Sequence, residues 1–351
     1  MRKELLFVGS VPLADANSVF DTLGRRFGRE VRRLPDGETG ERLGWVAWQA
    51  HVFESHPQFE AIESERDWRT AGGAVPTFAV SGRVQTKQYR PRAGVDATAI
   101  AFDALGYAAA ARESYAEFSA LKRAGAVPAG CRFMVAIPSP YNVLSWGVAP
   151  EARTAVEPAY ERAMAAEIAA IVAAIPHHEL AIQWDCAHDM QAFEGARTPW
   201  FAPPREGIIE RLARAAEWVP PAVELGYHLC YGTYGGRHFV EPKDSRAMVE
   251  LANGVFAHSR RSIEWVHMPV PIERDDDAYF APLAALRPRR ETIIHLGLIH
   301  DQDGVEGCMR RMRAANRYLG DYGIATECGF GRRDPDSLAR LLDVHAALIA
   351  A

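Results

Sequence analysis

Apolar residues along the chain gather into short continuous runs, separated by stretches in which they recur at helical spacing. The runs cover residues 5–8, 31–34, 133–137, 180–185, 223–230, 262–268, 292–298 and 324–329. Continuous rather than alternating apolar character is what a strand buried on both faces requires. Helical stripes fill most intervals, among them Val19, Phe20, Leu23 and Phe27; Met164, Ile168, Ile171, Val172 and Ile175; and Val305, Cys308, Met309, Met312, Ala315 and Leu319. Asp334 as cap and Pro335 at the first helical position open a last helix with Leu338, Leu341, Leu342, Leu348 and Ile349 inward.

Strand followed by helix, about eight times over, predicts an α/β fold: a single (β/α)8 TIM-type barrel spanning residues 1–351. An open doubly wound sheet is the runner-up, but no Gly-x-Gly-x-x-Gly follows the first strand, and unusual polar residues end many strands rather than one. Residues 77–90 alternate around Gly82 and predict a β-hairpin excursion outside the barrel.

Composition narrows the partners. A formal net charge of −5 with mixed signs leaves no basic footprint for nucleic acid, and no apolar run approaches membrane length. Five cysteines, an odd number in a chain of this size, do not read as a disulfide framework. The expected setting is a reducing cytoplasm and the expected partners are small molecules, with a homodimer an allowed assembly.

The candidate chemistry centres on Gly226-Tyr-His-Leu-Cys-Tyr-Gly232. His228 and Cys230 stand two apart, so on a strand both project from one face. A further thiol, Cys328, closes the run Ile324-Ala-Thr-Glu-Cys-Gly329. Nitrogen and thiolate donors suit Zn2+, although a His-x-Cys pair alone is more often a packed histidine beside an inert thiol. Barrel geometry gathers the strand ends at one mouth, where Ser10, Glu38, Trp146, Asp185, His228, Cys230, Glu264 or His267, and Cys328 become candidates together.

Taken in order, these motifs resemble the catalytic barrel of the cobalamin-independent methionine synthases, within the wider uroporphyrinogen-decarboxylase-like superfamily. Val8-Gly-Ser-Val-Pro12 is similar to the family's Ile-Gly-Ser-Phe-Pro, and Asp36-Gly-Glu38 to its His-Gly-Glu. Ser145-Trp146 resembles its Asn-Trp, Ile182-Gln-Trp-Asp185 its Ile-Gln-Ile-Asp, His228-Leu-Cys230 its His-Met-Cys, and Glu327-Cys-Gly329 its Asp-Cys-Gly. The resemblance implies Zn2+ held by His228, Cys230 and Cys328 with Glu264 as fourth ligand, His267 being the alternative; three apart, the two cannot share a face. It further implies that Ser10, Asp36, Glu38 and Asp185 hold a substrate with an amino-acid end, and that Trp146 helps hold a folate. The family's general-acid histidine has no direct match, so His295, His300 or His267 would protonate the leaving group.

The implied function is a zinc-dependent transfer of a methyl or other alkyl group to the sulfur of a small, homocysteine-like thiol, with Asp185 orienting the acceptor. Two other readings remain at this level: a barrel lyase, decarboxylase or zinc hydrolase working through Asp36, Glu38 and Asp185, and a noncatalytic partner of a methyl-carrier protein. Trp45, Trp48, Tyr141, Trp146, Tyr231 and Tyr234 lie near the expected mouth and permit a flat donor.

Overall fold

All eight apolar runs become parallel strands of one sheet in a computed structural model of the chain, which describes residues 4–67, 83–232 and 238–350. In chain order the strands are β1 (Leu5–Leu6), β2 (Arg33–Pro35), β3 (Phe59–Asp67), β4 (Arg83–Pro91), β5 (Arg132–Pro138), β6 (Leu180–Cys186), β7 (Glu224–Leu229), β8 (Trp265–Pro269), β9 (Ile293–Ile299) and β10 (Gly323–Thr326). The sheet runs β1-β10-β9-β8-β7-β6-β5-β2, and a parallel bridge from Leu5 to Val31 brings its two edges together, so the sheet nearly closes into a TIM-type barrel. Helices cover its outside, including Ala16–Phe27, Tyr107–Arg123, Arg153–Ala174, Pro204–Ala216, Arg246–His258, Gly304–Ala315 and Leu338–Ala350.

Two apolar layers explain why the strands read as unbroken runs. Outward-facing Phe7, Ile137, Ile182, Leu225, Val266, Leu296 and Ile324 pack under the helices. Leu6, Val8, Met134, Ala181, Trp265 and Ala325 fill the barrel's middle. Where the strands begin, charge closes the barrel. Buried Arg33 lays its guanidinium over Trp265, 4.1 Å from the ring centre, and pairs with Glu224 at 3.1 Å, while Arg132 reaches the same carboxylate at 2.9 Å. Glu4 completes this plug, facing Arg32 at 2.8 Å and His295 at 3.4 Å.

The hairpin excursion is present: β4 pairs antiparallel with β3, from Phe59 opposite Pro91 to Asp67 opposite Arg83. β3 reads Phe-Glu-Ala-Ile-Glu-Ser-Glu-Arg-Asp, whose acidity hid it among loops. The predicted turn, and residues 77–82 of the expected excursion, lie outside the described residues. Among the described residues no helix is long and apolar enough to cross a membrane.

Candidate metal centre and active site

Parallel pairing sets the site's first layer. Asp185 on β6 stands in register with His228 on β7, and His228 with His267 on β8, so three polar side chains face the interior near the ends of adjacent strands. Just beyond β7 and β10, Cys230 and Cys328 bring their sulfurs to 3.5 Å, and Cys328 Sγ lies 3.5 Å from His228 Nε2. The ligand atoms of His228, Cys230 and Cys328 all fall within 4.8 Å of one another.

That spacing fits a zinc ion. Tetrahedral coordination with Zn–S about 2.3 Å and Zn–N about 2.0–2.1 Å sets sulfur–sulfur and sulfur–nitrogen edges of about 3.8 and 3.6 Å. The observed sulfur–sulfur and sulfur–nitrogen distances, both 3.5 Å, are within a few tenths of those values. Electrostatics agree: the hydrogen bond from Cys230, with His228 adding to it against burial, holds the Cys328 thiol well below its ordinary pKa, while the Cys328 sulfur and burial push Cys230 well above. The Gly232 N–H donates to Cys230 Sγ at 3.2 Å, a further stabiliser of negative sulfur.

A cavity of about 50 Å3 opens on this cluster, lined by Ser10, Glu38, Trp45, Asp185, Phe239 and Arg332 as well as the three donors. Its acidic wall holds like charges together. Burial, then the carboxylates of Asp185 and Asp36, raise Glu38 well above the usual range, and burial raises Asp185 to about 6 despite His228 and hydrogen bonds from Gln183 and Trp45. The wall is also conformationally forced: Glu38 and Trp45 carry positive φ, 48° and 51°, and both line the cavity. Gly9 makes this approach feasible, since a Cβ there would meet Glu38 Oε1 at 2.4 Å. A second cavity, about 350 Å3, shares Cys328, Gly329 and Arg332 with the first and adds His238, His300, Gln302 and Glu327.

No protein-family model matches this chain, and no curated protein matches it in sequence. Among solved structures, it is similar to a Listeria monocytogenes protein provisionally described as a vitamin-B12 independent methionine synthase, at TM-score 0.54 and 14% identity, over 95% of this chain and 86% of that one. The likeness is one of fold.

Several expected site residues lie elsewhere. Glu264 precedes β8 at the barrel's opposite end: its carboxylate accepts from the Leu225 N–H at 2.6 Å and faces Arg261 at 3.3 Å. It cannot complete the His-Cys-Cys set, which corrects that expectation. His295 belongs to the plug beside Glu4, so it has no path to the mouth. Asp36 sits behind the cavity, accepting from Glu38 N–H at 3.0 Å and Ser114 Oγ at 2.8 Å while pairing with Arg42 at 2.8 Å. Its part is to hold the loop that presents Glu38. Trp146 lies in the helix Pro140–Gly147, buried, and lines neither cavity. Of the six aromatics expected near the mouth, Trp45 lines a cavity; Tyr141 instead stacks on Trp200 at 4.7 Å, and Tyr234 lies outside the described residues.

His267 and His300 are near the mouth but not poised as acids. His267 is fully buried beneath His228, and burial with the neighbouring His228 and His295 pushes its pKa well down. His300 Nε2–H donates to the Val270 carbonyl at 2.8 Å, and burial again lowers its pKa. The protonated imidazole beside the second cavity is His238, which the sequence analysis did not single out. Against the opposing effect of burial, Glu327 at 2.6 Å and Glu241 at 2.9 Å raise it to about 9. Its place eight residues past Cys230 was the available signal.

Proposed function

We propose that this chain is a zinc-dependent transferase that moves a methyl or other alkyl group to the sulfur of a small thiol bearing an amino group. The observation that carries the reading is the joint placement of a Cys-Cys-His donor set and a buried acidic pair, Glu38 and Asp185, on one cavity of about 50 Å3. His228, Cys230 and Cys328 would hold the ion, whose chemistry is to favour the thiolate form of a bound thiol at neutral pH.

The chain's own residues do the rest. Glu38 and Asp185 receive the acceptor's ammonium end, which offsets the repulsion between them. Trp45 and Phe239 close the apolar side and exclude water. In the transfer the acceptor's sulfur lone pair forms the new S–C bond, the donor's bond to that carbon breaks with its electron pair on the leaving group, and the leaving group takes a proton. The larger neighbouring cavity provides room for the donor on the far side of Cys328, with the His238 imidazolium as the proton source at its rim.

The same acidic pair also favours a second reading. A carboxyl whose pKa burial raises, beside a second carboxyl in the same cavity, suits a lyase or zinc hydrolase that consumes no thiol. Product analysis with zinc-loaded protein, small aminothiols and a panel of methyl donors separates the two. Loss of one thiol per donor consumed supports transfer; donor or substrate turnover with the thiol intact overturns it in favour of the second reading.

A further inference from the structure

His228 can bind a metal through Nε2 only if that nitrogen presents a lone pair to the thiols, and the residue beneath it controls this. His228 Nδ1 lies 2.7 Å from His267 Nδ1, and His267 Nε2 lies 2.9 Å from the Thr326 carbonyl oxygen. A carbonyl only accepts, so the His267 proton sits on Nε2 and its Nδ1 is left as an acceptor. One proton then occupies the Nδ1–Nδ1 contact, and it belongs to His228. The alternative, a His267 imidazolium donating both ways, would place a cation among His228, His295 and the barrel interior with no carboxylate on it.

We propose that His267 is a positioning residue that, by accepting from His228 Nδ1–H, holds the His228 ring so that Nε2 is turned to Cys230 and Cys328. The inference deepens the zinc reading given above and rests on it. The chain of contacts has its own space requirement: a Cβ at Gly297 on β9 would come within 2.8 Å of both His267 Nε2 and the Thr326 oxygen, so glycine at this position leaves that bond intact. Neither a ligand nor an acid, His267 acts through another residue, and partners of this kind commonly change metal affinity by roughly 10–100-fold.

The test is zinc affinity, by competition with a chromogenic chelator, for wild type, His267→Phe and His267→Asn, together with long-range 1H–15N correlation of the zinc-free wild type. Phe fills the space without an acceptor and is expected to weaken zinc binding by roughly 10–100-fold; Asn sets an amide oxygen near the Nδ1 position and is expected to restore most of it. Equal affinity in the Phe variant overturns the proposal. So does an Asn variant as weak as Phe with an altered Co2+ spectrum, which would make His267 a ligand. If wild type binds no zinc, the functional reading fails, yet the correlation still decides this inference: a proton on His228 Nδ1 and none on His267 Nδ1 upholds it, and the reverse overturns it.

Discussion

The two ends of the barrel are both buried, polar and rich in carboxylates and histidines, but they are built on opposite principles. Where the strands begin, carboxylates meet cations: Glu224 has Arg33 and Arg132, and Glu4 has Arg32 and Arg33. Where they end, Glu38 and Asp185 line one cavity and two sulfurs approach to 3.5 Å. Opposite charges brought together hold a structure. Carboxyl groups and sulfurs crowded together by the surrounding fold repel when ionised, and a proton, an ammonium group or a metal ion relieves them, which is the electrostatic pattern of a binding site.

Neutralising one group at each end should therefore act with opposite sign. The largest effect is expected from Arg33→Met, which leaves Glu224 short of one partner and should cost about 3–5 kcal/mol of stability in denaturant unfolding, with zinc content unchanged. Metal loss in the folded variant would break the separation of the two ends. Asp185→Asn should instead stabilise the zinc-free protein at pH 7, by about 1–3 kcal/mol, while weakening binding of an amino-bearing thiol about 10–100-fold by calorimetry. A destabilised variant with full thiol affinity would contradict the stored-repulsion account.

The pH dependence sharpens the same point. Burial raises the Asp185 carboxyl to about 6 in the fold, above its unfolded value, so its proton stabilises the folded state at low pH and that contribution is lost as pH rises through about 6. Zinc-free wild type should lose thermal stability over that interval, and the loss should shrink in Asp185→Asn. Aminothiol affinity should move the other way, falling as pH drops below about 6. The smallest effect on the site is expected from Glu264→Gln: no change in zinc stoichiometry by elemental analysis, because its carboxylate serves Leu225 and Arg261 at the structural end.

Much of this division was legible in the sequence, for a reason that also explains what was not. Strands buried on both faces leave unbroken apolar runs, so the barrel's eight strands stood out, and a period of two placed His228 and Cys230 on one face without further information. The acidic strand β3 belongs to a separate antiparallel pair and gave no such run, so the hairpin's partner was missed. Direction along a strand was the other lost signal. Glu264 comes before β8 and His295 lies in the first half of β9, which in a parallel barrel points them to the plug, whereas Asp185 and Cys328 stand at or beyond the ends of their strands, toward the mouth. Trp146 was read as a strand end although Ser139 and Pro140 already carry the signature of a helix start. His238 and Arg332 lie on loops, where spacing carries no face.

The central claim is that His228, Cys230 and Cys328 form a zinc site, and the most direct test is elemental analysis of the purified protein beside Cys230→Ser and Cys328→Ser. About one zinc per wild-type chain is expected, with loss of the metal and of thiol binding in both variants while the barrel stays folded. Wild type that takes up no zinc under reducing conditions, or full metal retention in both variants, would contradict it.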